Sequence, residues 1–278
     1  MRPLRLATVP YVNAEPLVWG FRKGPYREAA RLVDLAPARI PDLLRAGEVD
    51  LGLIPSIEYQ RIPDLEMLPH LCIASKRRAR SVYLASRVPL ERIGRIALDR
   101  NSRTSVALLK ILLARRGIRD VAYTEHAPSL KQMLRDNDAA LLIGDSALTA
   151  DTSGLELMDL AAEWFAASGL PFVFAVWAVR PGAVLPDGVR PFLDSRQMGM
   201  ANIPAIARDA GARLGLAPVA VEEYLRVNLH YHLGSEEARA LDLFYRQAHE
   251  IGLIRAPGPM MIHERSDREP ARAGRERS

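Results

Sequence analysis

Most of the side chains in this sequence that could hold a ligand fall in four short stretches. These are Tyr11-Val12-Asn13-Ala14-Glu15-Pro16-Leu17, Pro55-Ser56-Ile57-Glu58-Tyr59, Asn101-Ser102-Arg103-Thr104-Ser105 and Gly144-Asp145-Ser146-Ala147-Leu148. Each follows a strand-like apolar run and precedes a helix-like one. Free backbone N–H groups and the positive end of the helix dipole meet at such points, and both favour an anion such as a carboxylate. The candidate ligand-binding residues are therefore Tyr11, Ser56, Ser102, Arg103, Thr104, Ser105, Gly144 and Asp145. Ser, Thr, Asn and Asp are also ordinary helix N-caps. One such loop alone reads more simply as a cap. Four in one chain shift the balance towards a ligand, and a cap still leaves neighbouring N–H groups free.

Other catalytic patterns are missing. The chain has no Gly-rich phosphate loop, no HExxH and no CxxC pair. Of its six histidines, His230 and His232 share a helix-like segment, but an i, i+2 spacing puts them on different faces. The other four lack partners at metal-ligand spacing, so neither a metal nor another cofactor is expected. Cys72 is the single cysteine and sits in the apolar stretch Leu71-Cys72-Ile73, which reads as a buried structural thiol.

The elements that must position these loops alternate. Residues 4–9, 29–35 and 49–54 read as strands, with helix-like spacing near 14–19 and 40–45 between them. That rhythm predicts a parallel sheet. A second block has strands at 81–86, 95–98, 121–123, 139–143 and 172–179, and helices at 106–114, 130–134 and from 144. From residue 189 onward the chain reads as helical over 189–214, 218–232 and 236–251. The expected architecture is α/β and two-lobed. Residues 1–85 plus 180–255 make lobe one and residues 86–179 make lobe two, with strands 82–86 and 172–179 as the crossovers. Residues 256–278 are expected to be a disordered tail of mixed charge. No internal repeat is visible.

Composition excludes several classes. Hydrophobic residues are 49% and charged residues 26%, which is ordinary globular usage and argues against a disordered or fibrous chain. The net charge of +5 is spread along the chain, which suits steering of an anionic small molecule better than a nucleic-acid footprint. The apolar part of the N-terminus is too short for a signal peptide, and the longest apolar run, near 170–179, is too short to span a bilayer. A cytoplasmic protein is expected, with no membrane or nucleic-acid partner, as a monomer or homodimer.

The four loops also carry a resemblance. Tyr11-Val12-Asn13-Ala14-Glu15-Pro16-Leu17 resembles the opening motif of the chorismate dehydratases of the futalosine route to menaquinone. The likeness continues through residues 47–59, 80–82, 97–105, 140–148 and 169–177, and covers about residues 4–250; Glu15 departs from it. It implies a type II periplasmic-binding-protein-like fold. It implies dehydration of chorismate to 3-[(1-carboxyvinyl)oxy]benzoate, with Asn13 and Ser81 as the catalytic residues. Asn13 cannot abstract a proton, and Ser81 has no visible histidine partner, so the substrate's own side-chain carboxylate is a reasonable base. Two readings remain beside this one. A small-anion binding protein shares the fold, although no signal peptide or lipobox is visible. The sister lyase of the same pathway, acting on a cyclic futalosine derivative, has a Cys-Pro-Asn element that is absent here.

Overall fold

The computed structural model describes residues 2–263. Ten strands build two five-stranded sheets, ordered β2-β1-β3-β10-β4 and β7-β6-β8-β5-β9. The first contains β1 (Leu4–Thr8), β2 (Ala30–Asp34), β3 (Leu51–Pro55), β4 (Glu66–Ser75) and β10 (Phe172–Val179). The second contains β5 (Val82–Ser86), β6 (Arg95–Asp99), β7 (Ala122–His126), β8 (Ala139–Ile143) and β9 (Glu156–Asp159). The helices are α1 (Glu15–Arg22), α2 (Ile40–Arg45), α3 (Ser56–Tyr59), α4 (Thr104–Arg115), α5 (Leu130–Met133), α6 (Gly144–Thr149), α7 (Leu160–Ser168), α8 (Arg190–Ala201), α9 (Ile203–Leu214), α10 (Pro218–Glu223) and α11 (Ser235–Glu250).

The two lobes and the α/β class agree with the sequence reading, but the boundaries move. Strand β5 pairs with β8 and β9, and β10 pairs with β3 and β4. Neither strand is itself a crossover. Each is the first strand laid down after the chain has crossed, at residues 76–81 and again at 169–171. Both pair antiparallel to their neighbours, because they enter from the opposite lobe, so each sheet is mixed rather than purely parallel. Strands β1–β3 and β6–β8 keep the expected parallel pairing. The two sheet orders are the same pattern used twice, a repeat of topology that leaves no trace in the sequence.

Other differences have local causes. Strand β4 is broken in pattern by Pro69 and by His70, whose φ is 63°. The helical stretch 189–214 divides at Asn202, ahead of Pro204, into α8 and α9. The stretch 218–232 is helical only to Asn228 and ends in a π turn, Tyr224–Asn228. Residues 256–263 do not hang free. Met67 donates its N–H to Met261 O at 2.8 Å, and His263 N donates to Met67 O at 2.9 Å, so this segment covers the edge of β4. The rest of the expected tail lies outside the described residues.

The lobes are joined on one side by packed aromatics. Trp164 of α7 and Phe244 of α11 both meet Phe172 edge-on, at centroid distances of 5.4 and 5.1 Å. These rings are almost fully buried and tie the second lobe to the first beside the crossovers. Cys72 is fully buried and burial pushes its thiol up, which fits a structural role. Among the described residues, no helix is long and apolar enough to cross a membrane.

Candidate active site

Strands β1, β3, β6 and β8 each end at the face where the lobes meet, and the four polar loops follow from those ends. In mixed α/β sheets the crevice beyond the carboxyl ends of the strands is the ligand site. A cleft lies there, lined by Tyr11, Asn13, Ser81, Asn101, Ser102, Arg103, Thr104, Ser105 and Gly144. Its apolar walls include Pro37, Phe174 and Leu229. Eight of the ten residues singled out in the sequence therefore meet around one space. Ser56 and Asp145 do not line it.

These two stand behind the lining, and they explain what the capping residue types are doing. No side chain caps the helix of its own loop at α1, α3, α4 or α6. The capping runs across the cleft instead. Ile57 N, in the first turn of α3, donates to Thr104 Oγ1 of the other lobe at 3.2 Å. Val12 N, which opens a short 3₁₀ turn over Val12–Ala14, donates to Asp145 Oδ1 at 2.9 Å. Arg213 of α9 donates to the second Asp145 oxygen at 3.0 Å. Ser56 Oγ donates to Val173 O at 2.8 Å and lies 3.4 Å from Thr104 Oγ1. The lobes are thus latched at two points, and two helical N-termini of lobe one are already satisfied by lobe two.

What remains open to a ligand is the start of α4. Its first-turn N–H groups have no intrahelical acceptors, and no side chain caps them. Ser102 Oγ is buried there without a partner, and Arg103 is exposed at the rim. Opposite it, Asn13 Oδ1 is likewise buried without a partner. Gly144 has φ +59°, and a Cβ added to it would lie 2.9 Å from Tyr11 Cδ2. Only glycine lets the Tyr11 ring approach that closely. Burial, followed by the Asp99 and Asp145 carboxylates, pushes the Tyr11 phenol up. It is therefore neutral at physiological pH. Glu15 pairs with Arg22 (Nε to Oε2, 3.4 Å) and is not part of the lining.

Two residues near the site gave no signal in the sequence. Tyr224 donates its hydroxyl to Ser81 Oγ at 2.7 Å, from a position that reads as ordinary helix core. Asp99 is 1% exposed at the end of β6, where its Oδ1 accepts the Asn101 N–H at 2.9 Å and its Oδ2 has no partner. Burial pushes the Asp99 carboxyl up to about 6 from 3.8. The folded state then binds this proton more tightly than the unfolded chain. The contribution of this group to stability is full below pH 4 and is lost as pH rises through 6, by on the order of 2–3 kcal/mol. Asp99→Asn keeps the acceptor for Asn101 and removes the charge. It is expected to be more stable than the parent at pH 8 and to lose that advantage at pH 4. Urea melts at the two pH values check this, and an advantage independent of pH would assign it to some other cause.

Comparison with known proteins decides the family. The family model described as menaquinone biosynthesis matches residues 4–250. The chain belongs to that family. A chorismate dehydratase of Thermus thermophilus is 34% identical over 276 residues, covering 92% of this chain and 98% of that one. Among solved structures, protein AF1704 of Archaeoglobus fulgidus superposes with a TM-score of 0.75 at 19% identity, over 91% of this chain and 99% of that one. The periplasmic aliphatic sulphonate binding protein SsuA of Escherichia coli superposes at 0.61 with 16% identity, over 100% and 98%. These two likenesses show the fold alone, a periplasmic-binding-protein-like one, as the resemblance implied.

Proposed function

We propose that this protein is a chorismate dehydratase, a hydro-lyase that converts chorismate to 3-[(1-carboxyvinyl)oxy]benzoate and water in the futalosine route to menaquinone. The observation that carries the reading is the chemistry of the cleft. Among its lining residues only Tyr11 and Arg103 ionise, and Tyr11 is held neutral. The site offers hydroxyls, amides and helix N–H groups but no protein base. Few reactions proceed on those terms. Dehydration of chorismate is one, because it ends in an aromatic ring and because the substrate brings its own carboxylates.

In the proposed mechanism the start of α4, with Ser102, Thr104, Ser105 and Arg103, holds the ring carboxylate. Asn13 and Ser81 lie against the part of the ring that reacts. The enolpyruvyl carboxylate takes the proton from the carbon bearing the ether. The electron pair of that C–H bond closes the aromatic ring, and the neighbouring C–O bond breaks. The departing hydroxide takes up a proton and leaves as water. The protein's share is to fix the reactive conformer, exclude solvent and donate to the departing oxygen. Tyr11 and Phe174 flank the ring.

The same reading takes the protein to be cytoplasmic, to act as a monomer or homodimer, and to work without metal or nucleotide. The test is to dialyse purified protein against chelator, mix it with chorismate and follow the product by ultraviolet absorbance and mass. Aromatic product at undiminished rate is expected. Tight binding without turnover would make it an anion-binding protein. Turnover that zinc or magnesium restores would overturn the cofactor-free mechanism.

A further inference from the structure

We propose that Tyr224 is a positioning residue that occupies one side of the Ser81 hydroxyl and so turns the Ser81 proton into the cleft. This deepens the dehydratase reading and rests on it. Tyr224 is 1% exposed and begins the π turn that ends α10, on the first lobe. Single π turns are uncommon and recur at functional sites. The Tyr224 hydroxyl has one proton, which it gives to Ser81 Oγ at 2.7 Å. The bond is directed, from the Tyr224 hydroxyl to the Ser81 hydroxyl. Asn13 and Ser81 both line the cleft.

Direction is what this bond supplies. A serine hydroxyl that already accepts from Tyr224 must place its own proton elsewhere. The Ser81 carbonyl accepts the Gly144 N–H at 2.9 Å, which fixes the backbone that carries the hydroxyl. Its backbone is pinned from the other side as well. Asp159, the N-cap of α7, accepts the N–H of Ala79 at 3.2 Å and of Arg80 at 2.7 Å, and Arg80 is held at φ 61°. Ser81 lines the cleft, and its proton, turned away from Tyr224, is placed there as a donor. Asn13 lines the same space, and its Oδ1 is an acceptor without a partner. A substrate hydroxyl set between them donates to Asn13 and accepts from Ser81, which is the arrangement that helps it depart as water. Burial holds the Tyr224 phenol well above its usual range, so it stays a donor at any physiological pH.

The competing account is that a buried tyrosine hydroxyl needs an acceptor and Ser81 merely provides one. A double-mutant cycle separates the two. Tyr224→Phe, Ser81→Ala and the double variant are compared with the parent for chorismate turnover and melting temperature. Tyr224→Phe is expected to lower kcat about tenfold with KM changed less than about threefold, the split expected when a contact is made mainly in the transition state. Added to Ser81→Ala, the same substitution should change kcat less than about twofold, since it acts only through that hydroxyl. Should Tyr224→Phe fail to fold, 3-fluorotyrosine at position 224 keeps the packing and alters only the strength of donation. It should change kcat in the parent and not in Ser81→Ala. An unchanged kcat, or an equal loss in both backgrounds, overturns the proposal. A parent that does not turn over chorismate overturns the function reading and this proposal together.

Discussion

Asn13→Ala is expected to lose on the order of 10²-fold in kcat while its melting temperature stays nearly unchanged. The two halves of this expectation come from different facts. Asn13 sits in the 3₁₀ turn that follows β1, and the helix after it, α1, begins at Glu15, with Ala14 at the N-cap position and no side-chain cap. Deleting the amide therefore removes no capping bond, and little stability is at stake. What it does remove is a buried Oδ1 with no partner in the protein, on a residue that lines the cleft. Losing one preorganised polar contact in a closed site typically costs 10²–10³-fold in turnover. A capping residue would behave in the opposite way, with lost stability and retained kinetics. The base is tested separately with a chorismate analogue in which the enolpyruvyl carboxylate is a neutral amide. It is expected to bind and fail to aromatise. Normal turnover of the analogue would mean that a protein group removes the proton.

Much of this site was legible because its parts are local. Strands ending in Tyr-Val-Asn, Pro-Ser, Asn-Ser-Arg-Thr-Ser and Gly-Asp-Ser mark the carboxyl edges of two sheets, and one cleft collects them. The assignment of Ser56 and Asp145 to the lining is where locality ends. Both carry the right residue type in the right kind of loop, but each turns to the protein instead of the cleft. No spacing rule distinguishes a residue that caps its own helix from one that caps a turn in the opposite lobe. Tyr224 was invisible for a related reason. A tyrosine in a helical stretch reads as core, and only the fold brings its hydroxyl to Ser81, 143 positions away. Asp99 ends a strand in an Asp-Arg-Asn-Ser run that reads as a turn, and its burial depends on the packing of both lobes. Strand β4 was lost to Pro69 and the left-handed His70. The exchange of β5 and β10 between lobes needs the sheet order, which no single strand encodes.

The position of Asp145 leads to the second large effect. Asp145→Ala is expected to raise KM about tenfold, lower kcat much less, and enlarge the free protein in solution. Asp145 belongs to α6 of the second lobe, whereas Val12 and Arg213, which donate to it at 2.9 and 3.0 Å, belong to the first. With the alanine, the buried Val12 N–H keeps no acceptor as long as the cleft is closed. An unsatisfied buried donor costs about 1–3 kcal/mol. That cost falls on the closed arrangement alone, because an opened cleft gives the same N–H to water. The open state gains population accordingly, by about tenfold for each 1.4 kcal/mol, and apparent affinity drops by the fraction still closed. The second latch, Thr104 on the first turn of α3, is untouched and limits the opening. Chemistry in the closed complex proceeds with the same Asn13 and Ser81, which is why kcat suffers less. Small-angle scattering of the free variant, with and without saturating chorismate, reads the lobe equilibrium directly. A larger radius of gyration that contracts on adding substrate is the expected result. An unchanged radius combined with a collapse of kcat would mean that Asp145 touches the substrate itself, as its place in the sequence motif first suggested.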